Sequence, residues 1–173
     1  GDFGGGGGRG GTAQQNQFCD RTKAFIDRPD VKKFLDAMWR ASNYGKANYG
    51  EQGGLIGLGK ASNKLFTYDF PKPADAGHHD LPGFGKWAYE THQAHPGVNF
   101  VYWVHTHPYD KGQMLNIGGK TGAADDPKLP SGTQGVNGDS VVSAQSGLDA
   151  ILISKNNITI FNSQKTLCTF DRK

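Results

Sequence analysis

The sequence predicts a single α+β domain. Amphipathic helical segments and short apolar strands are mixed along the 173-residue chain. Several strands follow one another closely enough to pair as antiparallel hairpins, which is typical of this fold class. The length fits one domain and is short for two packed domains.

The first seventeen residues are predicted to be a flexible linker in front of this domain. Eight of the first eleven residues are glycine, and the polar residues 12–17 follow. Such a segment buries little apolar surface, and ordering glycine is entropically costly. We therefore expect a linker over residues 1–17, joined to a carrier polypeptide upstream, and a folded domain over residues 18–173.

Helical and strand periodicity define the elements of the first half. Residues 30–42 carry apolar side chains at helical spacing, with Pro29 at the first helical position and Gly45 as a stop. A glycine-rich strand, its antiparallel partner strand and a second helix are then predicted at residues 53–58, 64–69 and 85–94.

The second half contains the most strand-like run and the longest loop. Residues 98–104 are almost all apolar, and His105-Thr106-His107-Pro108 follows them directly. Residues 109–138 carry seven glycines and two prolines, so we predict a long loop, which in a compact domain tends to be functional. A short helix, a hairpin and a last strand are predicted at residues 140–146, 150–161 and 166–170.

The two histidines predict a metal site. Side chains alternate between the faces of a strand, so His105 and His107 project the same way. A catalytic zinc usually keeps three protein ligands, and Asp139 is our candidate for the third, with helix capping as the alternative role. Amide hydrolysis also needs a proton carrier. Glu51, just before the glycine-rich strand, is the candidate, with a solvated turn residue as the alternative.

These residues, in this order, resemble the JAB/MPN metalloprotease family and its JAMM motif. Glu51 precedes a Gly-Leu-rich strand, His105-Thr-His107-Pro ends an apolar strand, and Asp139 begins a helix. The resemblance covers about residues 49–161. It implies a curved mixed β-sheet flanked by helices, as in the cytidine deaminase-like group. It also implies that His105, His107 and Asp139 bind Zn²⁺, and that Glu51 is the acid/base acting on a zinc-activated water that hydrolyses a peptide or isopeptide bond.

Two features depart from the family pattern. His107 and Asp139 lie 32 residues apart, which implies an insertion of about twenty residues beside the active site. The family's serine, which helps to polarise the substrate carbonyl, corresponds to Val136. The hydroxyl groups that could replace it belong to Ser131, Thr133 and Ser140. We favour Ser131 as the catalytic hydroxyl, because Pro130-Ser131 is similar to the family's Pro-Ser.

Charge, hydropathy and cysteine content limit the classes of partner and of site that we expect. The chain has 19 basic and 16 acidic residues without a basic block, so nucleic acid is not a favoured partner. Its apolar runs are far shorter than the ~20 residues that span a bilayer. A zinc deaminase would need a Pro-Cys-x-x-Cys unit, which the sequence lacks. Cys19 and Cys168 are compatible with either a disulfide or two buried thiols.

The leading hypothesis is a zinc metallopeptidase that acts as a toxin module. The chain is similar to the JAB-like domains at the C-termini of bacterial polymorphic and type VI secreted effectors. This resemblance implies delivery into a target cell, where the substrate is a cell-wall peptide or a protein, and a cognate immunity protein. The chain shows no signal segment of its own. A non-catalytic scaffold of the MPN type is the alternative.

Overall fold

The computed structural model describes residues 12–71, 81–117, 120–130 and 139–172. Four helices lie within these ranges: α1 (Ala13–Ile26), α2 (Pro29–Ala41), α3 (Phe84–Ala94) and α4 (Asp139–Ser146). The strands are β1 (Gly53–Gly59), β2 (Leu65–Asp69), β3 (Val98–Thr106), β4 (Met114–Ile117), β5 (Lys120–Ala123), β6 (Asp149–Ile153), β7 (Asn157–Phe161) and β8 (Thr166–Asp171).

Six of these strands form one mixed sheet in the order β2-β1-β3-β6-β7-β8. Neighbours β3 and β6 are parallel, and the other neighbouring pairs are antiparallel. Strands β4 and β5 form a separate antiparallel pair. The predicted fold class, an α+β domain with a mixed sheet flanked by helices, is confirmed at this level.

Alternation along the strands divides the core into two layers, one on each face of the sheet. One layer contains residues of α3 and α4 together with every second strand residue: Leu55, Phe84, Ala88, Trp103, Val142, Leu152 and Phe161. The other contains residues of α2 and the intervening strand positions: Val31, Leu35, Met38, Ile56, Val104, Ile151 and Ile160. His105 shares the parity of Trp103, so its side chain projects toward the face that α4 covers.

Most predicted elements are observed within two residues of their expected bounds. The periodic segment at residues 30–42 forms α2, and the apolar run before the histidines forms β3. The predicted C-terminal hairpin forms β6 and β7. These elements have strong periodicity or contiguous apolar residues, which are the most direct sequence signals of helix and strand.

Helix α1 was not expected. It begins at Ala13, inside the segment predicted as linker. The reason is a capping box: the Thr12 hydroxyl accepts a hydrogen bond from Gln15 N at 3.1 Å, and the Gln15 side chain accepts one from Thr12 N at 2.7 Å. Residues 13–17 of the predicted linker are therefore helical, and residues 1–11 lie outside the described residues.

The predicted loop over residues 109–138 also contains regular structure. Strands β4 and β5 pair within it, with Met114 opposite Ala123 and Leu115 opposite Gly122. Leu115 packs with Tyr109 and Ala124 in a small apolar cluster of its own. The three apolar residues among the four of β4 (Met114, Leu115 and Ile117) are the sequence signal that the many glycines of this segment obscured.

The N-terminal helix is covalently joined to the C-terminal strand. Cys19 on α1 and Cys168 on β8 form a disulfide, with their Cα atoms 5.8 Å apart. This pairing decides between the two cysteine states that the sequence left open. Among the described residues, no helix combines the length and the apolar character that a bilayer crossing requires.

Candidate metal centre

Four side chains that the sequence singled out converge at one end of β3. Glu51, His105, His107 and Asp139 each offer a ligand atom, and these four atoms all lie within 4.8 Å of one another. The Asp139 Oδ2 atom lies 3.0 Å from His105 Nε2 and 3.5 Å from His107 Nε2. Glu51 Oε1 lies 3.9 Å from His105 Nε2. All four residues are buried.

The chain segment carrying Glu51 is fixed to the end of β3. Gly53, the first residue of β1, pairs with His105 across the sheet. The Thr106 hydroxyl accepts a hydrogen bond from Gln52 N at 3.0 Å, and Thr106 N donates to Gln52 O at 3.0 Å. These two bonds hold the residue that follows Glu51, so its carboxyl group is placed beside the first histidine.

His105 is oriented by an aromatic neighbour. Its fully buried ring stacks on Trp103 with centroids 4.6 Å apart and planes 14° apart. The Trp103 Nε1–H donates in turn to the Ser143 hydroxyl on α4 at 3.3 Å. Among the described residues His105 Nδ1 has no hydrogen-bond partner, so stacking fixes the ring plane. Burial lowers the pKa of His105 despite the opposing effect of Asp139, and this favours the neutral imidazole that binds metals.

His107 is oriented by a hydrogen bond. Its Nδ1 lies 3.0 Å from the carbonyl oxygen of Pro127. A carbonyl only accepts, so Nδ1 carries a proton, and Nε2 is the ring nitrogen that faces Asp139. Metal-binding histidines usually donate their other ring N–H to such an acceptor.

Asp139 is the first residue of α4, and its carboxyl group faces both histidines. Burial alone would raise the pKa of this carboxyl group. Its electrostatic interactions and hydrogen bonds with His105 and His107 outweigh burial and hold the pKa well below its usual range. The residue is therefore an ionised carboxylate at neutral pH. Asp139 thus begins α4 and contributes its carboxyl group to the cluster.

This cluster can hold a metal ion. Around a tetrahedral ion with bonds of about 2.0–2.2 Å, neighbouring ligand atoms lie about 3.3–3.6 Å apart. The separations of 3.0 and 3.5 Å between Asp139 and the two histidines are close to this value, and the Glu51 carboxyl group lies slightly farther out. Two carboxyl groups and two imidazoles form a donor set whose negative charge a divalent cation balances. The donors alone do not specify which cation.

Tyr109 is a neighbour of the site that sequence reasoning missed. Its ring stacks on His107 with centroids 5.1 Å apart, and the residue is buried. Burial, followed by the negative charges of Glu51 and Asp139, raises the pKa of Tyr109 far above its ordinary value, so its hydroxyl stays protonated. Its spacing of two and four residues from His107 and His105 is the signal that could have identified it.

The residue expected to supply the catalytic hydroxyl, Ser131, lies in a part of the chain that the structure does not describe. Ser131, Thr133 and Val136 lie outside the described residues. Ser140 is the second residue of α4. The structure brings together the remaining predicted site residues, which are Glu51, His105, His107 and Asp139.

The chain matches no known protein-family model, no curated protein and no solved structure. The buried cluster is therefore the feature of this chain that bears on its function.

Proposed function

We propose that this protein is a zinc-dependent peptidase or isopeptidase of the JAB/MPN type. The observation that carries the proposal is the meeting of two imidazoles, one carboxylate and a second, slightly more distant carboxyl group at the end of a buried strand. A catalytic zinc site needs three such ligands and a nearby acid/base group. The order Glu51, His105, His107, Asp139 resembles the JAMM motif.

Each residue has a distinct role in the proposed reaction. His105, His107 and Asp139 would hold the ion. When bound, zinc would supply the Lewis acidity that brings the pKa of a water toward ~7 and polarises the amide carbonyl. Glu51 Oε1 takes the proton from the attacking water and delivers it to the departing nitrogen, which completes the cleavage of the C–N bond. Tyr109 and Trp103 stack on the two histidines and limit their rotation.

Zinc is the metal we propose, because two imidazoles and one carboxylate with a fourth position left for water are typical of catalytic zinc sites. Elemental analysis of the purified chain is expected to give close to one zinc per molecule. Asp139→Asn is expected to reduce this content strongly. The matched control is Asp27→Asn, since Asp27 is exposed and pairs with Lys23 at the end of α1. Absence of any bound divalent metal would reject the proposal.

The acid/base role is tested separately from metal binding. Glu51→Gln keeps the size of the side chain but removes its basicity, so we expect retained zinc and a rate at least about 100-fold lower. Glu90→Gln is the matched control, because Glu90 is an exposed glutamate on α3. Substrates to assay are cell-wall peptides, lysine isopeptides and a peptide library. Equal rates for Glu51→Gln and wild type would refute the assignment.

The biological setting that we propose is a secreted toxin module with a cognate immunity protein. Expression in the bacterial cytoplasm and, separately, in the periplasm is expected to arrest growth in the compartment that holds the substrate. Glu51→Gln should abolish this arrest at equal protein levels. Growth arrest that persists in this variant would indicate harm without catalysis. A chain that binds zinc but cleaves none of the substrates would favour the alternative, a non-catalytic scaffold.

A further inference from the structure

The insertion that precedes Asp139 contributes directly to the metal centre. The carbonyl of Pro127 accepts the hydrogen bond from His107 Nδ1 at 3.0 Å. This carbonyl belongs to the insertion, whereas His107 follows β3. The segment predicted as a long loop therefore supplies the acceptor that orients a candidate metal ligand.

Residues 126–129 form a turn that is braced internally. Leu129 N donates to Asp126 O at 3.0 Å, and Lys128 N donates to the Asp126 side chain at 3.1 Å. Proline follows the aspartate, and it fixes the backbone angle that the second position of such a turn requires. The turn is thus a stiff unit, and its position determines where the Pro127 carbonyl points.

This turn is anchored to the central sheet by one buried hydroxyl group. Thr159 on β7 donates its hydroxyl to the Lys128 carbonyl at 2.6 Å, and its side chain is fully buried. Thr159 pairs with Leu152, which pairs with His105. The three residues therefore form one cross-strand row. His105 and Thr159, which anchors the turn, are thus held by neighbouring strands of the same sheet.

We propose that Thr159 is a positioning residue for the metal centre, acting through the turn at residues 126–129 and the Pro127 carbonyl on His107. The inference rests on the proposed metal site and does not depend on peptidase activity. Thr159 is not one of the four residues that offer a ligand atom. Its hydroxyl fixes the turn, the turn fixes the carbonyl, and the carbonyl keeps the proton on Nδ1 so that the Nε2 lone pair faces the ion.

The test compares three variants of the full chain. Thr159→Val has nearly the same shape but no hydroxyl, whereas Thr159→Ser keeps it. Thr22→Val is the matched control, because Thr22 is also buried and donates its hydroxyl to a backbone carbonyl, that of Phe18 on α1. Zinc affinity is measured at equilibrium by competition with a chelating dye. Long-range ¹H–¹⁵N spectra of the histidines report which nitrogen of His107 carries the proton.

Thr159→Val is expected to bind zinc about 10-fold more weakly, the lower end of what partners of metal ligands contribute, and to lose the single Nδ1–H form of His107. Thr159→Ser and Thr22→Val should retain wild-type affinity. Unchanged affinity in Thr159→Val, or an equal loss in Thr22→Val, overturns the inference. A wild-type chain that binds no zinc overturns the metal centre and this inference together, whereas a zinc-bound chain without hydrolysis rejects only the peptidase.

Discussion

Replacing Gly54 by alanine tests how closely β1 must approach its neighbours. A Cβ atom at this position would lie 2.6 Å from the backbone oxygen of Tyr68 on β2 and 2.9 Å from Met38 Cε. The Met38 methyl group can rotate away, but the Tyr68 oxygen is part of the sheet. Ordinary contact begins near 3.4 Å, so the two strands must separate by about 0.8 Å locally. Overpacking of this kind costs typically 1–3 kcal/mol, and the rigid neighbour places Gly54→Ala near 3 kcal/mol.

Equilibrium unfolding in urea, followed by tryptophan fluorescence, measures this cost. In thermal unfolding, the melting temperature should fall by about 6–12 °C, because 1 kcal/mol corresponds to about 2–4 °C for a chain of this size. Gly97→Ala is the control: a Cβ there meets nothing within 4 Å, so the change should be neutral or stabilise by up to about 1 kcal/mol. If the two variants have the same free energy of unfolding, the close approach at Gly54 does not constrain the fold.

Three further predictions concern the disulfide, the pH dependence of stability, and the hydrogen bond between Thr106 and Gln52. Cys19→Ala combined with Cys168→Ala, compared with wild type in urea, should lower the free energy of unfolding by up to about 5 kcal/mol, because the bridge closes a loop of nearly the whole domain; no change on reduction of the wild type would contradict this. The metal-free chain should become less stable as pH falls below 6.5, since burial lowers the pKa of His105 and the unfolded state therefore binds the proton first; a flat profile from pH 7.5 to 5 in urea titrations would refute it. Thr106→Val removes the acceptor of Gln52 N, so its stability should fall by about 1–3 kcal/mol and recover in Thr106→Ser, as thermal melts can check.

The sequence was sufficient to predict the elements in which apolar residues recur at regular spacing or in runs. Strand β3 and the hairpin of β6 and β7 contain mostly apolar residues, and α2 has apolar residues at helical spacing. Helix α1 was missed because its first turn contains no large apolar residue, and the capping box at Thr12 is the local signal of its start. Strands β4 and β5 were missed because they are short and lie in a glycine-rich segment.

The four residues of the cluster were predictable because each occupies an informative local position. His105 and His107 end an apolar strand, Asp139 begins a helix and Glu51 precedes a glycine-rich strand. The groups that orient them were not predictable in the same way. A backbone carbonyl such as that of Pro127 has no sequence signature, since every residue carries one, and only the tertiary fold decides which carbonyl faces a ring nitrogen.

The ligand atoms are drawn from three segments that are distant along the chain. They precede β1, end β3 and begin α4. A cation bound there would cross-link these segments, and because the unfolded chain cannot gather them, the binding free energy would add to folding. Metal supply would then govern the lifetime of the molecule, since a chain deprived of its ion opens more often and is exposed to proteolysis each time it opens.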